Sequence, residues 1–228
     1  MTGQTFLYNG ALLQLRELAR SSDTGLLHYL YGRRTNLGPI RHDVNAVWDL
    51  ASHDVAVFNF ILGASPLSVS AVGSRVLGRR FEDVGFVTLR YPGGIVAHIH
   101  ASWVDPSKVR EIVVVASERR IVFDDMNALE PIRVFERGVA IDEGDESLDP
   151  GQRYSFRDGA ILSPRVAPSE PLREQVEHFV ECLRTGDAPR SDGYFGASVV
   201  QTLEAIDRSM LLHGAPVEIR PVPVPSVA

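Results

Sequence analysis

The stretch Arg41-His-Asp-Val-Asn-Ala-Val-Trp-Asp-Leu-Ala-Ser-His-Asp54 decides how this chain of 228 residues is interpreted. Its pattern predicts the front half of a helix that continues to about Gly63 and is apolar almost all round. Asn45, Asp49 and His53 follow one another at intervals of four residues, which stacks them on one face of a helix. Polar side chains inside a buried helix are unfavourable unless they are paired or used.

The pair Asp49 and His53 has two interpretations. An imidazole one helical turn after a carboxylate can act as a general base with an orienting partner. The same spacing also arises on solvent-facing helices, where it serves no chemistry. The apolar residues on both sides of the pair argue against a plainly exposed helix, so a catalytic site remains one of the two interpretations. Nearby arginine side chains either bind a substrate carboxylate or phosphate or are solvated loop residues.

Composition excludes several classes of protein. The net charge of −6 gives no basic surface for nucleic acid. Because Cys182 is the only cysteine, no internal disulfide framework exists, and a reducing, cytoplasmic location is expected. The sequence has no apolar run of about 18 residues, and its first residues do not resemble a signal peptide, so we expect no membrane association.

Period-two patterns from about residue 67 to 136 predict strands joined by short turns such as Pro92-Gly93-Gly94. Helices are predicted near residues 10–20, 171–184 and 194–213, besides the opening helix, for which Asp43 is the expected N-cap. The predicted fold class is α+β: a mainly antiparallel open sheet of about six strands with helices on one face. We expect residues 1–220 to form one domain, within which residues 138–160 form an acidic solvated loop. Residues 221–228 are predicted to form a Pro-rich tail.

Two further motifs are weak. His98 and His100 lie on the same face of one predicted strand and could ligate zinc, but no other side chain has convincing metal spacing. We therefore predict no metal site, and a subunit contact is the preferred interpretation of the two histidines. No Gly-x-Gly-x-x-Gly motif follows a strand, so no dinucleotide-binding fold is expected in this sequence.

Several segments, in order, resemble one known family. They are Gln4-Thr-Phe-Leu-Tyr-Asn9, Arg34-Thr-Asn-Leu-Gly38, Arg41-His-Asp-Val-Asn45, Trp48-Asp-Leu-Ala-Ser-His-Asp54, Ala97-His-Ile-His-Ala-Ser-Trp103 and Glu170-Pro-Leu-Arg173. Together they resemble the C-terminal domain of the Gfo/Idh/MocA oxidoreductases, most closely the branch that oxidises nucleotide-linked amino sugars. The resemblance covers the chain from about Gly3 to about Gly214. It implies the fold of a glyceraldehyde-3-phosphate-dehydrogenase-like C-terminal domain.

The resemblance also implies roles for individual residues. The Asp-x-x-x-His motif of the family matches Asp49 and His53. In this family the histidine takes a hydroxyl proton while hydride passes from the sugar carbon to NAD or NADP, and the aspartate orients the imidazole. By the same mapping, four polar residues would line the pocket of a sugar or nucleotide-sugar substrate: Arg34, Asn36, Arg41 and Asn45.

The departures from the family concern the cofactor. The sequence begins where the family's Rossmann domain ends, so the glycine-rich loop and the lysine of a Glu-Lys-Pro motif are missing, and Gly10 replaces the usual proline. Two hypotheses follow. The chain is either half of a sugar dehydrogenase, inactive unless a Rossmann domain is supplied, for example on a separate chain, or a non-catalytic remnant that oligomerises or binds a sugar nucleotide. In both cases we expect self-association through the open sheet face.

Overall fold

The computed structural model describes residues 1–141, 154–220 and 222. Within these residues lie four α-helices: α1 (Gly10–Arg20), α2 (Ser52–Leu62), α3 (Pro171–Thr185) and α4 (Gly193–Leu211). The strands are β1 (Leu27–Leu37), β2 (Ser68–Ser74), β3 (Val84–Arg90), β4 (Val96–Ser102), β5 (Val104–Ala116), β6 (Arg120–Asp124), β7 (Ile132–Ile141), β8 (Tyr154–Leu162) and β9 (Val217–Glu218). A 3₁₀ turn at Thr5–Tyr8 precedes α1, and a π-helical turn at Val47–Ala51 precedes α2.

The strands form one sheet in the order β8-β7-β6-β5-β1-β4-β3-β2-β9. Only β1 and β4 pair in parallel; every other neighbouring pair in the described part of the chain is antiparallel. The predicted α+β class with a mainly antiparallel open sheet is therefore confirmed. The predicted size is wrong, because the described residues contribute nine strands and not about six.

Strand β8 is observed but was not predicted. Most of it lies in the segment that was predicted as an acidic loop. Its described side chains are exposed, and Phe156 leaves 81% of its surface open. A strand at the edge of a sheet that buries so little produces no alternation of apolar and polar residues, so the sequence pattern cannot reveal it. The central part of that predicted loop, residues 142–153, lies outside the described residues, as does the predicted Pro-rich tail except for Val222.

One face of the sheet carries the core. Alternate residues of the central strands are fully buried beneath α1, α2 and α4: Leu30, Val87, Leu89, Ala97, Ile99, Ile112 and Val114. The predicted helices on one face are thus observed, and burial of these aliphatic side chains drives their packing. No helix in the described residues combines the length and the apolar character that crossing a membrane requires.

The other face of the sheet, here named the open face, carries aromatic and imidazole side chains. It is defined by five residues: Tyr29, Tyr31, Phe86, His98 and His100. The Phe86 ring stacks against both imidazoles, at centroid distances of 6.3 Å to His98 and 4.5 Å to His100. Partial burial lowers the pKa of both histidines. Among the residues that the structure describes, no group of three metal-ligating side chains accompanies them.

Candidate functional site

The helix that carries the predicted site begins with the π-helical turn Val47–Ala51 and not with a regular α turn. Asn45, one residue before the helical run, accepts a hydrogen bond from the Trp48 amide on Oδ1 (2.7 Å) and donates from Nδ2 to the Asp207 carboxylate on α4 (2.9 Å). Asn45, and not the predicted Asp43, therefore caps the helix, because its side-chain oxygen accepts a hydrogen bond from the backbone of the first turn. Its side-chain nitrogen at the same time links the start of the helix to α4. Turns of the π type occur frequently at functional sites.

Asp49 lies in this π-helical turn and is held from two sides. The buried indole of Trp103 donates from Nε1 to Asp49 Oδ2 at 3.1 Å. Arg41 donates from Nη1 to Oδ1 at 3.4 Å, while its other guanidinium nitrogens bind Asp43. One carboxylate oxygen therefore faces the end of β4 and the other faces an exposed cation, which holds the side chain in place.

His53 lies in the first turn of α2, against the 3₁₀ turn at Thr5–Tyr8. Its ring centroid is 5.2 Å from that of Phe6, with the two planes tilted by 44°. Burial lowers the pKa of His53, and the positive charge of Arg34 lowers it further, whereas Asp54 and Asp49 act in the opposite direction. The imidazole is thereby biased toward its neutral form, which is the form a proton acceptor requires.

The buried ion pair between Arg34 and Asp54 lies directly under His53. Arg34 Nε donates to Asp54 Oδ2 at 2.9 Å and Nη2 donates to Oδ1 at 3.2 Å, with the side chains 6% and 1% exposed. The Phe6 ring covers the guanidinium at 4.5 Å. The absence of a side chain at Gly32 leaves room for the Asp54 carboxylate, since a Cβ there would lie 3.4 Å from Asp54 Oδ1. This bidentate pair fixes the strand, the helix and the aromatic ring around the imidazole.

The structure brings some of the predicted residues together and separates others. Asp49, His53 and Arg34 surround one region above the carboxyl ends of β1 and β4, although no hydrogen bond joins Asp49 to His53 within the described residues. Asn36, on the same strand as Arg34, has a buried Oδ1 with no partner among the described residues. Asn45 faces α4 instead, so it does not join the others.

Sequence reasoning missed three side chains of this region: Asp54, Trp103 and Arg110. Asp54 is the residue beside His53 and precedes a run of buried apolar residues, so a carboxylate there requires a buried cation. The need for a buried cation beside Asp54 could therefore have been predicted from the apolar run that follows it in the sequence. Arg110 pairs opposite Arg34 in the β1–β5 ladder and contributes to the lowered pKa of His53, but only the strand register reveals it.

Solved structures with this fold include three oxidoreductases. UDP-N-acetylglucosamine 3-dehydrogenase from Acidithiobacillus ferrooxidans matches 91% of this chain with a TM-score of 0.70 and 22% identity. An aldose-aldose oxidoreductase from Caulobacter crescentus, solved with glycerol, matches 95% with a TM-score of 0.74 and 17% identity. An NAD binding oxidoreductase from Klebsiella pneumoniae matches 96% with a TM-score of 0.74 and 16% identity. These likenesses establish the fold of a C-terminal sheet domain.

The sequence comparison agrees with the predicted resemblance. The model of the GFO/IDH/MocA C-terminal domain matches residues 12–122, and the Acidithiobacillus ferrooxidans dehydrogenase is 25% identical over 184 residues, or 79% of this chain. The predicted resemblance to the C-terminal domain of the Gfo/Idh/MocA family is thereby confirmed over residues 12–122. The chain spans 54% of the length of that relative and 61%, 62% and 65% of the three solved chains above.

Proposed function

We propose that this chain is the substrate-binding and proton-accepting half of an NAD(P)-dependent dehydrogenase that oxidises a sugar hydroxyl, and that the sugar is nucleotide-linked. The observation that carries the proposal is His53, an imidazole packed against Phe6 and biased toward its neutral form by burial and by Arg34, with the Asp49 carboxylate held in the preceding turn. Two findings support a sugar or nucleotide-sugar substrate: the match to the GFO/IDH/MocA C-terminal domain, and the similarity to a UDP-N-acetylglucosamine 3-dehydrogenase from Acidithiobacillus ferrooxidans.

Each side chain then has a defined task in the proton transfer. His53 accepts the proton of the sugar hydroxyl, and the negative charge of Asp49 favours the imidazolium that forms. The Arg34–Asp54 pair holds β1 and α2 in place. Arg41, whose side chain is 50% exposed, would bind a phosphate of the nucleotide by exchanging its bonds to the exposed Asp43 carboxylate for bonds to the phosphate.

The cofactor would be held elsewhere. NAD(P), when bound, supplies the hydride acceptor. The described residues contain no strand followed by a glycine-rich loop and a helix, and their one parallel strand pair does not build a dinucleotide seat. The proposed activity therefore needs a nucleotide-binding domain in addition to these residues.

The test joins the chain to the part of the Acidithiobacillus ferrooxidans relative that precedes its matched segment. We expect this fusion to reduce NAD or NADP when UDP-N-acetylglucosamine is added, and not with the free amino sugar. Cofactor binding is measured separately by calorimetry. A fusion that binds the cofactor but oxidises neither a nucleotide sugar nor a free sugar would contradict the proposed function and favour a non-catalytic domain.

The protonation state of His53 can be measured in the chain alone. Since burial and Arg34 disfavour the cation, the imidazole should remain neutral until the pH falls below the ordinary histidine value of about 6.5. NMR titration of the His53 Cε1 proton measures this. Asp49→Asn should lower the midpoint further, because it removes a charge that favours the imidazolium. A midpoint above the ordinary value would contradict the assigned role.

We also propose that the open face mediates self-association. Phe86 leaves 43% and Tyr29 45% of their surfaces exposed on this helix-free face, a pattern typical of an interface. Light scattering of the wild-type chain at tens of micromolar should show an oligomer, and Phe86→Glu should shift it to the monomer. Leu129→Glu, in the turn after β6, introduces the same charge at a residue that is 93% exposed and should change nothing. A wild-type monomer would overturn this proposal.

A further inference from the structure

A second cleft lies among the helices, away from the candidate site. It is formed by α1, the second half of α2, the start of α4 and the residues after β9, and its volume is about 690 Å³. Ligand pockets in proteins typically enclose about 300–1,000 Å³. Within the described part of the chain, no residue assigned to the candidate site lines this cleft. Phe60, which does line it, lies about 10 Å farther along α2 than His53, at 1.5 Å of rise per residue.

The cleft brings together arginines from separate parts of the chain. Those that line it are Arg16, Arg190 and Arg220. The Arg16 guanidinium lies over the Phe60 ring, 4.3 Å from its centroid, and the Arg190 guanidinium lies 6.0 Å from the same centroid. Arg190 is held in place by a hydrogen bond from Nη1 to the Leu7 carbonyl (2.8 Å) and by the Tyr8 ring at 4.7 Å. Two guanidinium groups, from α1 and from the segment before α4, therefore share one aromatic ring.

The positive charges of the cleft are not balanced by carboxylates. No Asp or Glu among the described residues lines it, although the chain as a whole has a net charge of −6. Arg16 Nε is buried and has no hydrogen-bond partner among the described residues. Burial lowers the pKa of the Arg16 guanidinium, and the charges of Arg20 and Arg190 lower it further, with only partial opposition from Glu17. A buried donor without an acceptor is unfavourable, so this arrangement fits an anionic ligand.

The wall of the cleft at the start of α4 is aromatic. Tyr194, which leaves 41% of its surface exposed, and Phe195 both line it. An aromatic side chain offers a flat apolar surface against which the ring of a ligand can pack. Arginine forks bind phosphate oxygens in pairs, and a phosphate monoester carries nearly two negative charges at neutral pH, whereas a carboxylate carries one. Several arginines beside an exposed ring therefore favour a phosphate attached to an aromatic group over a simple carboxylate.

We propose that this cleft is a second ligand site, which binds an aromatic phosphate monoester with the phosphate between Arg16 and Arg190 and the ring against Tyr194. The ligand would contact none of the residues assigned to the sugar site, so the proposal does not depend on the role of His53. A nucleoside monophosphate and a smaller aryl phosphate share the required chemistry, namely a dianionic phosphate on a planar ring.

Calorimetry of the full chain tests the proposal, with phenyl phosphate as the probe in a buffer free of phosphate and sulfate. Amide hydrogen exchange locates the site, and we expect slower exchange in α1 and at the start of α4. Benzoate and inorganic phosphate should bind more weakly than phenyl phosphate, since the first lacks the dianion and the second lacks the ring. AMP separates the two sources of the ligand: tighter binding than phenyl phosphate indicates a nucleotide, and weaker binding indicates a smaller aryl phosphate. Absence of phenyl phosphate binding at millimolar concentrations would overturn the proposal.

Variants assign the binding to individual side chains. Arg16→Gln should weaken phenyl phosphate binding about tenfold or more, because it removes charged hydrogen bonds to the phosphate. Arg184→Gln is the matched control, since it removes the same charge from a side chain on α3 that is 75% exposed and does not line the cleft, and it should leave binding unchanged. Tyr194→Ala should weaken the binding of phenyl phosphate and leave that of inorganic phosphate unchanged. Circular dichroism verifies that each variant folds.

Three results would overturn the proposal even if phenyl phosphate binds. Equal affinities for benzoate and phenyl phosphate would reject the phosphate as the recognised group. Equal losses in Arg16→Gln and Arg184→Gln would indicate attraction to the overall charge and not a site. Loss of binding in Arg41→Gln but not in Arg16→Gln would place the phosphate at the candidate site near His53, and the cleft would then bind no phosphate.

Discussion

Asp54→Ala is expected to lower the free energy of unfolding by about 3–5 kcal/mol, because it leaves the Arg34 guanidinium buried and unpaired. The two side chains are 1% and 6% exposed, so solvent cannot replace the lost carboxylate. Such a loss is a large fraction of the roughly 5–15 kcal/mol that stabilises a typical domain. Urea unfolding, followed by circular dichroism, measures the change.

A double variant keeps this prediction testable if Asp54→Ala does not fold. Replacing both partners by apolar residues, R34M/D54L, removes the unpaired charge and should recover most of the lost stability. Glu177→Ala is the exposed comparison: it breaks a pair with Arg173 whose side chains are 69% and 60% exposed, and it should cost far less stability than Asp54→Ala. Equal losses for Asp54→Ala and Glu177→Ala would contradict the buried-pair argument.

The sheet was largely predictable because its central strands bury one face. Period-two patterns predicted strands from about residue 67 to 136, the part of the chain that contains β2 to β6 and the first half of β7, and short turns such as Pro92-Gly93-Gly94 indicated antiparallel pairing. The parallel pairing of β1 with β4 could not be inferred, since it depends on where the opening helix crosses the sheet. The two-residue β9 and the exposed edge strand β8 carry too little buried surface to leave a pattern.

The candidate site was predictable only in part. The spacing of Asp49 and His53 located both residues, and the buried ion pair beneath them could have been anticipated from the apolar run after Asp54. The prediction that Asn45 shares a face with Asp49 and His53 assumed a regular α-helix. The π-helical turn breaks that regularity, and Asn45 contacts Asp207 on α4 instead. Contacts with Trp103 depend on the sheet register and required the structure.

Helix α3 illustrates a different limit. The sequence predicted a helix at 171–184 from Pro171 at its start and Gly186 after its end, and the observed helix spans Pro171–Thr185. An amphipathic pattern does not say which side faces the domain, and the usual expectation places the apolar side inward. Here the imidazole of His178 bonds the Arg190 amide, which fixes the polar side inward. The apolar side chains of Leu172, Val176 and Leu183 are therefore exposed and lie outside the core of this domain.

His53→Asn, introduced into the covalent fusion, is expected to lower kcat by about 10²–10⁴-fold with little change in KM, because it removes the proton acceptor and not a substrate contact. The wild-type kcat/KM should fall as the pH drops through the lowered pKa of His53, and this limb should disappear in the variant. Asp49→Asn should keep the limb, move it to lower pH and reduce kcat far less, since Asp49 acts only through the charge of the imidazole.

The control is His28→Asn, an exposed histidine near the start of β1, which should leave both the rate and the pH profile unchanged. The pH profile is the sharper readout, because a purely structural effect of His53→Asn would lower kcat without removing one titrating limb. If the variant retains more than about a tenth of the wild-type kcat, proton acceptance by His53 contributes less than general-base catalysis typically provides. The proton would then have to leave by another route, which Asn36 cannot provide because a side-chain amide does not take up a proton in this pH range.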